Sequence, residues 1–169
     1  YKYHDFYVGY TRDVINVLEA LKETKPNLLD LKRVGMWGHS MGGGIGARVA
    51  VLAPEIKAYV MFAPISADVK DNFYELPKKE INRLEKVYGA GATADEIYNK
   101  ISPINYFEFV SAPVQLHHGT EDKDVPLDFS EKIYKELKGL GKKVEFFTYP
   151  GEPHEFAEGW PLAAERSLQ

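Results

Sequence analysis

The stretch that most limits what this chain can fold into is Gly35 to Gly46, GMWGHSMGGGIG. A short apolar run, Val34 to Trp37, leads into it, and a helix-like segment, Ile45 to Leu52, leads out. Strand, sharp turn and helix therefore follow one another, with Ser40 at the apex of Gly38-His39-Ser40-Met41-Gly42, a G-x-S-x-G pattern. A turn this tight strains its apex residue, and side chains at its flanks would collide with strand or helix, which is what the glycines avoid. The expected result is a Ser40 hydroxyl standing above the strand ends. The Met41 N–H, at the helix N-terminus, is then available to a developing oxyanion. A nucleotide-binding reading fits less well. Gly42, Gly44 and Ala47 match G-x-G-x-x-A, but that triplet starts after the turn, and the next strand ends Phe62-Ala63-Pro64 without an acid.

The rest of the chain repeats the strand and helix alternation. Thr11 begins a helix with Val14, Val17, Leu18 and Leu21 on one face, ended by Pro26. Strands are expected at 33–37, 57–62, 113–117 and 144–149, and helices at 41–52, 127–140 and from Trp160 onward. Crossovers of this length demand a parallel sheet, and their alternation implies helices on both its faces. Residues 68–101 differ: they are charged and carry two expected helices. One follows Pro77 with Ile81, Leu84 and Tyr88 on one face, and one is announced by the capping box Thr93-x-x-Glu96. This insertion reads either as a cap over a site at the strand ends or as a plain surface excursion.

Composition removes several function classes. The 169 residues, 44% of them hydrophobic, suit a single domain with a substantial core, and no cysteine is available for disulfides, thiolate chemistry or metal. A net charge of -4 with both signs interspersed offers no basic surface for nucleic acid. The longest apolar run, Ala58 to Ala67, is about half of what a membrane-spanning helix needs.

A serine hydroxyl needs a positioned base, and that base an orienting carboxylate. Candidates for both fall just past the ends of later strands, where an open parallel sheet gathers its functional groups. HGTEDKDVP, residues 118–126, follows the third strand and PGEPHEF, residues 150–156, the fourth. Asp122, Glu121 and Asp124 are the candidate acids, and His154 the candidate base, since no other histidine follows them. His117 and His118 should point to opposite faces of their strand. A metal site built on them remains an alternative, though no H-x-x-x-H pair supports it. His39 is expected to pack beside the turn, and His4 has no reading.

These segments resemble the α/β-hydrolase superfamily, in its prolyl-oligopeptidase and dienelactone-hydrolase-like branches. Gly38 to Gly42 is similar to the nucleophile elbow, HGTEDKDVP to H-G-x-x-D-x-x-V-P, YPGEPHEF to Y-x-G-x-x-H-x-F, and Ser102 to Tyr106 to S-P-x-x-Y. The serine, acid, histidine order is also the one seen in that superfamily. Glu155 stands where a glycine is common, which could narrow a pocket. The resemblance implies an eight-stranded, mostly parallel sheet and a hydrolase in which Ser40 attacks, His154 is the base, Asp122 holds it and Met41 N–H stabilises the oxyanion. No metal or organic cofactor is implied. With no peptide-gating domain visible, a carboxylesterase acting on small esters is the leading expectation. A prolyl-oligopeptidase-type peptidase comes next, and then a non-catalytic binding protein on the same scaffold.

The four expected strands match the last four of the family's eight. The resemblance therefore implies that an N-terminal half precedes this sequence, or that another chain completes the sheet. Residues 1–169 alone would then show an unpaired apolar edge at 33–37, half an oxyanion hole, poor solubility and no activity.

Overall fold

A computed structural model describes residues 8–24, 30–72 and 94–169. Four strands, β1 (Gly35–His39), β2 (Ala58–Phe62), β3 (Val114–Gly119) and β4 (Val144–Tyr149), form one parallel sheet in the order β1-β2-β3-β4. The helices are α1 (Val8–Thr24), α2 (Met41–Leu52), α3 (Ala94–Ile101), α4 (Leu127–Gly139) and α5 (Trp160–Arg166). This is the α/β layer architecture expected from the alternation. Among the described residues β1 pairs with β2 alone, and Trp37 on it is 50% exposed.

Strand periodicity sorts the core into two layers. Met36, Tyr59, Met61, Val114, Leu116 and Val144 join Ile45, Ala47 and Val49 of α2 and Ile133 and Leu137 of α4 in one cluster, with Leu18 of α1 against it. On the opposite face Phe62 and Tyr149 join Phe156 and Ala163 of α5. There His117 lies parallel to Phe62 with ring centroids 4.4 Å apart, and Trp160 packs on Phe62 at 5.4 Å. Removing buried apolar area from water on both sides of the sheet is the main favourable contribution to this arrangement.

Element boundaries moved by a few residues, for identifiable reasons. β1 starts at Gly35, not at Arg33, because Asp30 holds the preceding turn: its carboxylate accepts the Arg33 Nε–H at 2.6 Å and the Lys32 N–H at 3.0 Å. β3 runs on to Gly119, beyond His117, because its pairing with β4 continues to Gly119–Tyr149. α1 begins at Val8, ahead of Thr11, and α5 ends at Arg166.

Within the insertion, the first expected helix and Thr93 of the capping box lie outside the described residues. The second expected helix is α3. Short 3-10 segments at Val69–Asn72 and Pro103–Phe109 were not anticipated. Ser102, from the S-P-x-x-Y stretch, staples the base of the insertion. Its hydroxyl donates to the Tyr98 carbonyl at 2.7 Å and accepts the Val69 N–H at 2.8 Å. Lys132 of α4 adds bonds to Asp68 at 2.8 Å and Asp71 at 2.9 Å.

Candidate active site

The turn after β1 is as tight as its glycines imply. A Cβ on Gly38 would strike the Gly42 carbonyl and lie 2.8 Å from the Gly43 nitrogen, so only hydrogen fits. Ser40 sits at φ 55°, ψ −118°, a conformation costing about 1–3 kcal/mol that must be held by its surroundings. The holding bonds are visible: Ser40 N–H donates to the Phe62 carbonyl at 2.8 Å, and Ser40 C=O accepts from Gly44 and Ile65, both at 3.1 Å. Ser40 is the N-cap of α2, yet its hydroxyl makes no capping bond. The hydroxyl thus stays free for other chemistry, and Met41 N–H is among the first-turn donors that a helix leaves unpaired.

The loops after β3 and β4 are locked together at Gly119. A Cβ there would strike the Glu152 carbonyl and lie 2.9 Å from that of Pro153. Bonds from Glu121 N–H to the Glu152 carbonyl at 3.0 Å, and from Gly151 N–H to the Thr120 hydroxyl at 2.9 Å, close the seam. Across it His154 Nδ1 lies 2.7 Å from Asp122 Oδ2. A carboxylate only accepts, so Nδ1 carries the proton and Nε2 is left as the basic nitrogen. Asp122 Oδ1 accepts the backbone N–H groups of Asp124 at 2.9 Å and Val125 at 2.8 Å. Burial alone would push this carboxyl up, but the Val125 N–H, the His154 ring and the Asp124 N–H outweigh it and hold it below the ordinary carboxylate range. Asp124 itself is exposed and lends only its backbone to the loop.

His39 links the serine turn to His154. Its Nε2–H donates to the His154 carbonyl at 2.9 Å, and the two rings meet tilted by 38° with centroids 4.5 Å apart. Phe156, two residues after His154, takes φ 54° and is pinned by edge contacts to Phe62 at 5.3 Å and Tyr149 at 5.2 Å. His117 and His118 do point to opposite faces. His117 is buried against Phe62 and Phe147 and bonded to the Tyr149 hydroxyl at 2.8 Å; burial, aided by the Arg166 cation, pushes it down to about 4. His118 faces α4 and bonds Ser130 at 2.7 Å. Among the described residues no three His, Asp or Glu side chains gather as metal ligands.

The profile of the prolyl oligopeptidase family matches residues 7–161, nearly the whole sequence. The chain belongs to the prolyl oligopeptidase family. It is 28% identical over 127 residues to the uncharacterized peptidase YtmA of Bacillus subtilis, covering 73% of this chain and 48% of YtmA. A puromycin-hydrolyzing peptidase from Mycobacterium tuberculosis superposes with a TM-score of 0.74 at 25% identity, covering 94% of this chain and 23% of that one. For the acylaminoacyl peptidase of Pyrococcus horikoshii the values are 0.67 and 29%, over 85% and 23%. This family member therefore spans about half of YtmA, and about a quarter of each of those two structures. The α/β-hydrolase-like fold anticipated from the motifs is the fold shared with these neighbours.

Two contributors at this site escaped the sequence reading. His118 was read as the head of the H-G-x-x-D-x-x-V-P segment and weighed as a metal ligand, with no role beside the acid, and Ser130 was not singled out. Besides the place of His118 at the head of that segment, the sequence signal is that both sit at inward positions of β3 and α4, where a polar side chain needs a partner.

Proposed function

We propose that this chain carries the catalytic groups of a serine peptidase, with Ser40 as nucleophile, His154 as general base and acid, and Asp122 as the orienting carboxylate. The observation that supports this most is the 2.7 Å bond from His154 Nδ1 to a fully buried Asp122 carboxylate, because it fixes the tautomer a serine base requires. His154 Nε2 takes the Ser40 proton as Oγ attacks the carbonyl. Met41 N–H receives the oxyanion, an interaction whose loss costs on the order of 3 kcal/mol. His154 then protonates the departing amine, and water, activated by the same nitrogen, releases the acyl group from Ser40. A pure binder would have no use for a base held in one tautomer.

The preference for small esters, favoured from sequence, gives way here to the peptidase reading. The relatives just described are named as peptidases, and amide cleavage uses the leaving-group protonation that a bound His154 supplies. Residues 68–101 serve in this reading as a cap. Their described ends, 68–72 and 94–101, follow β2 and precede β3, and are stapled by Ser102 and Lys132. A fluorophosphonate should label the protein at Ser40, and undiminished labelling of Ser40→Ala would refute the assignment. Aminoacyl amides assayed beside short acyl esters then separate peptidase from esterase; turnover of esters alone would restore the esterase reading.

A further inference from the structure

His118 is fully buried, is bonded at both ring nitrogens, and has no part in the mechanism above. Its Nε2 lies 3.0 Å from the Val125 carbonyl and 3.2 Å from Asp122 Oδ2. Both are acceptors, so Nε2 must carry a proton. Its Nδ1 lies 2.7 Å from the Ser130 hydroxyl, which donates to a neutral ring. Burial favours that neutral ring and outweighs the opposing pull of the Val125 carbonyl and the Asp122 charge. The nearby His154 pushes in the same direction as burial. Val125 and Asp122 from the acid loop, Ser130 from α4 and His154 from the base loop are the polar and titratable groups facing His118 among the described residues.

We propose that His118, seated by Ser130, is a positioning residue that fixes the Asp122 carboxylate so that Oδ2 stays aimed at His154. Oδ1 is already anchored by two loop N–H groups, which leaves the carboxylate free to swing about that anchor. His118 limits this freedom, because its Nε2–H, bonded to the Val125 carbonyl, stands 3.2 Å from Oδ2 and ties the far side of the loop to the end of β3. A neutral imidazole suits the task, since a second cation beside Asp122 would draw away the charge that makes His154 basic. This role rests on the Ser40–His154–Asp122 reading.

The test uses His118→Asn and His118→Gln in the full chain, with active sites counted by fluorophosphonate. The glutamine amide reaches the place of Nε2–H, whereas the shorter asparagine reaches only that of Nδ1. His118→Asn should lower kcat by about tenfold to a hundredfold, the scale of a misplaced catalytic group, with KM unchanged. It should also shift the His154 titration, followed by 15N NMR, to lower pH. His118→Gln should recover most of both. Unchanged kcat and His154 titration in a folded His118→Asn protein would overturn the proposal, as would equal losses in both variants that track melting temperature alone. A His118 carrying its proton on Nδ1 in the unsubstituted protein would do the same. Should His118→Asn not fold, Ser130→Ala is the substitute. A smaller shift of the same sign supports the role, and an unmoved His154 titration overturns it. Full turnover by Ser40→Ala would instead remove the triad reading, while the titration, which needs no turnover, still decides what His118 does to Asp122 and His154.

Discussion

Replacing Asp122 by asparagine changes one atom, and the geometry says where that atom must go. Asp122 accepts two backbone N–H groups on Oδ1, at 2.9 and 2.8 Å, and faces ring N–H groups on Oδ2, His154 at 2.7 Å and His118 at 3.2 Å. An amide NH2 placed at Oδ1 would oppose two fixed backbone donors. Placed at Oδ2, it opposes two rings, of which His154 can relieve the conflict by moving its proton to Nε2. The second orientation is the one expected, and it leaves His154 in the tautomer that cannot accept the Ser40 proton. In trypsin-like enzymes the same tautomer error lowers kcat by about 10,000-fold, which is about 5 kcal/mol of transition-state stabilisation. Stability should fall as well, by about 3 kcal/mol, because two charge-assisted bonds at roughly 1.5–3 kcal/mol each become neutral and one contact turns repulsive. Asp124→Asn touches an exposed carboxyl and should stay within about 0.5 kcal/mol on both measures. Turnover of an aminoacyl amide per titrated active site, beside a urea melt of each variant, measures both effects. If Asp124→Asn were the more damaging change, the assignment of the acid and the tautomer argument would both fail.

Gly119→Ala should loosen the seam between the acid and base loops. Its Cβ meets backbone at Glu152 and Pro153, so a loss of about 1–3 kcal/mol in stability is expected, together with reduced turnover; an unaltered urea midpoint would contradict it. The fold should also weaken in mild acid. His117 is held neutral down to about 4, against an ordinary 6.5, so between those pH values the unfolded chain binds a proton that the folded one refuses. The cost grows to about 3 kcal/mol at the lower end, and His118, also shifted down by burial, adds to the same slope. His117→Phe, of similar shape, should flatten the pH dependence of unfolding between 6.5 and 4; an unchanged slope there would refute the cause.

The parts of the molecule legible in sequence are those governed by short-range rules. The Gly38–Gly42 turn was readable because a glycine there answers to a collision within five residues. The opposite facings of His117 and His118 followed from strand alternation alone. The placement of Asp122 over its rivals came from a motif, and the physical reason lies in the loop, where Asp124 spends its backbone rather than its carboxyl. The grip of His118 and Ser130 on that loop was not legible. Nothing local states that an inward serine on α4 will meet an inward histidine on β3, since that depends on how a helix docks on a sheet. The start of β1 was misplaced for a similar reason: Arg33 reads as a strand residue until Asp30 captures it.

The sheet order β1-β2-β3-β4 follows chain order, which has a bearing on when the proposed site is assembled. Chains fold N-terminal parts first as they leave the ribosome. The serine turn is thus laid down early, then the carboxylate, and the imidazole arrives last, on the loop after β4. His154 meets Asp122 only once β4 has zipped onto β3, through the register that ends at Gly119 and Tyr149. A nascent or clipped chain lacking that final strand would hold its serine without a base. In the proposed reading, the site would gain its base only when this last strand is in place.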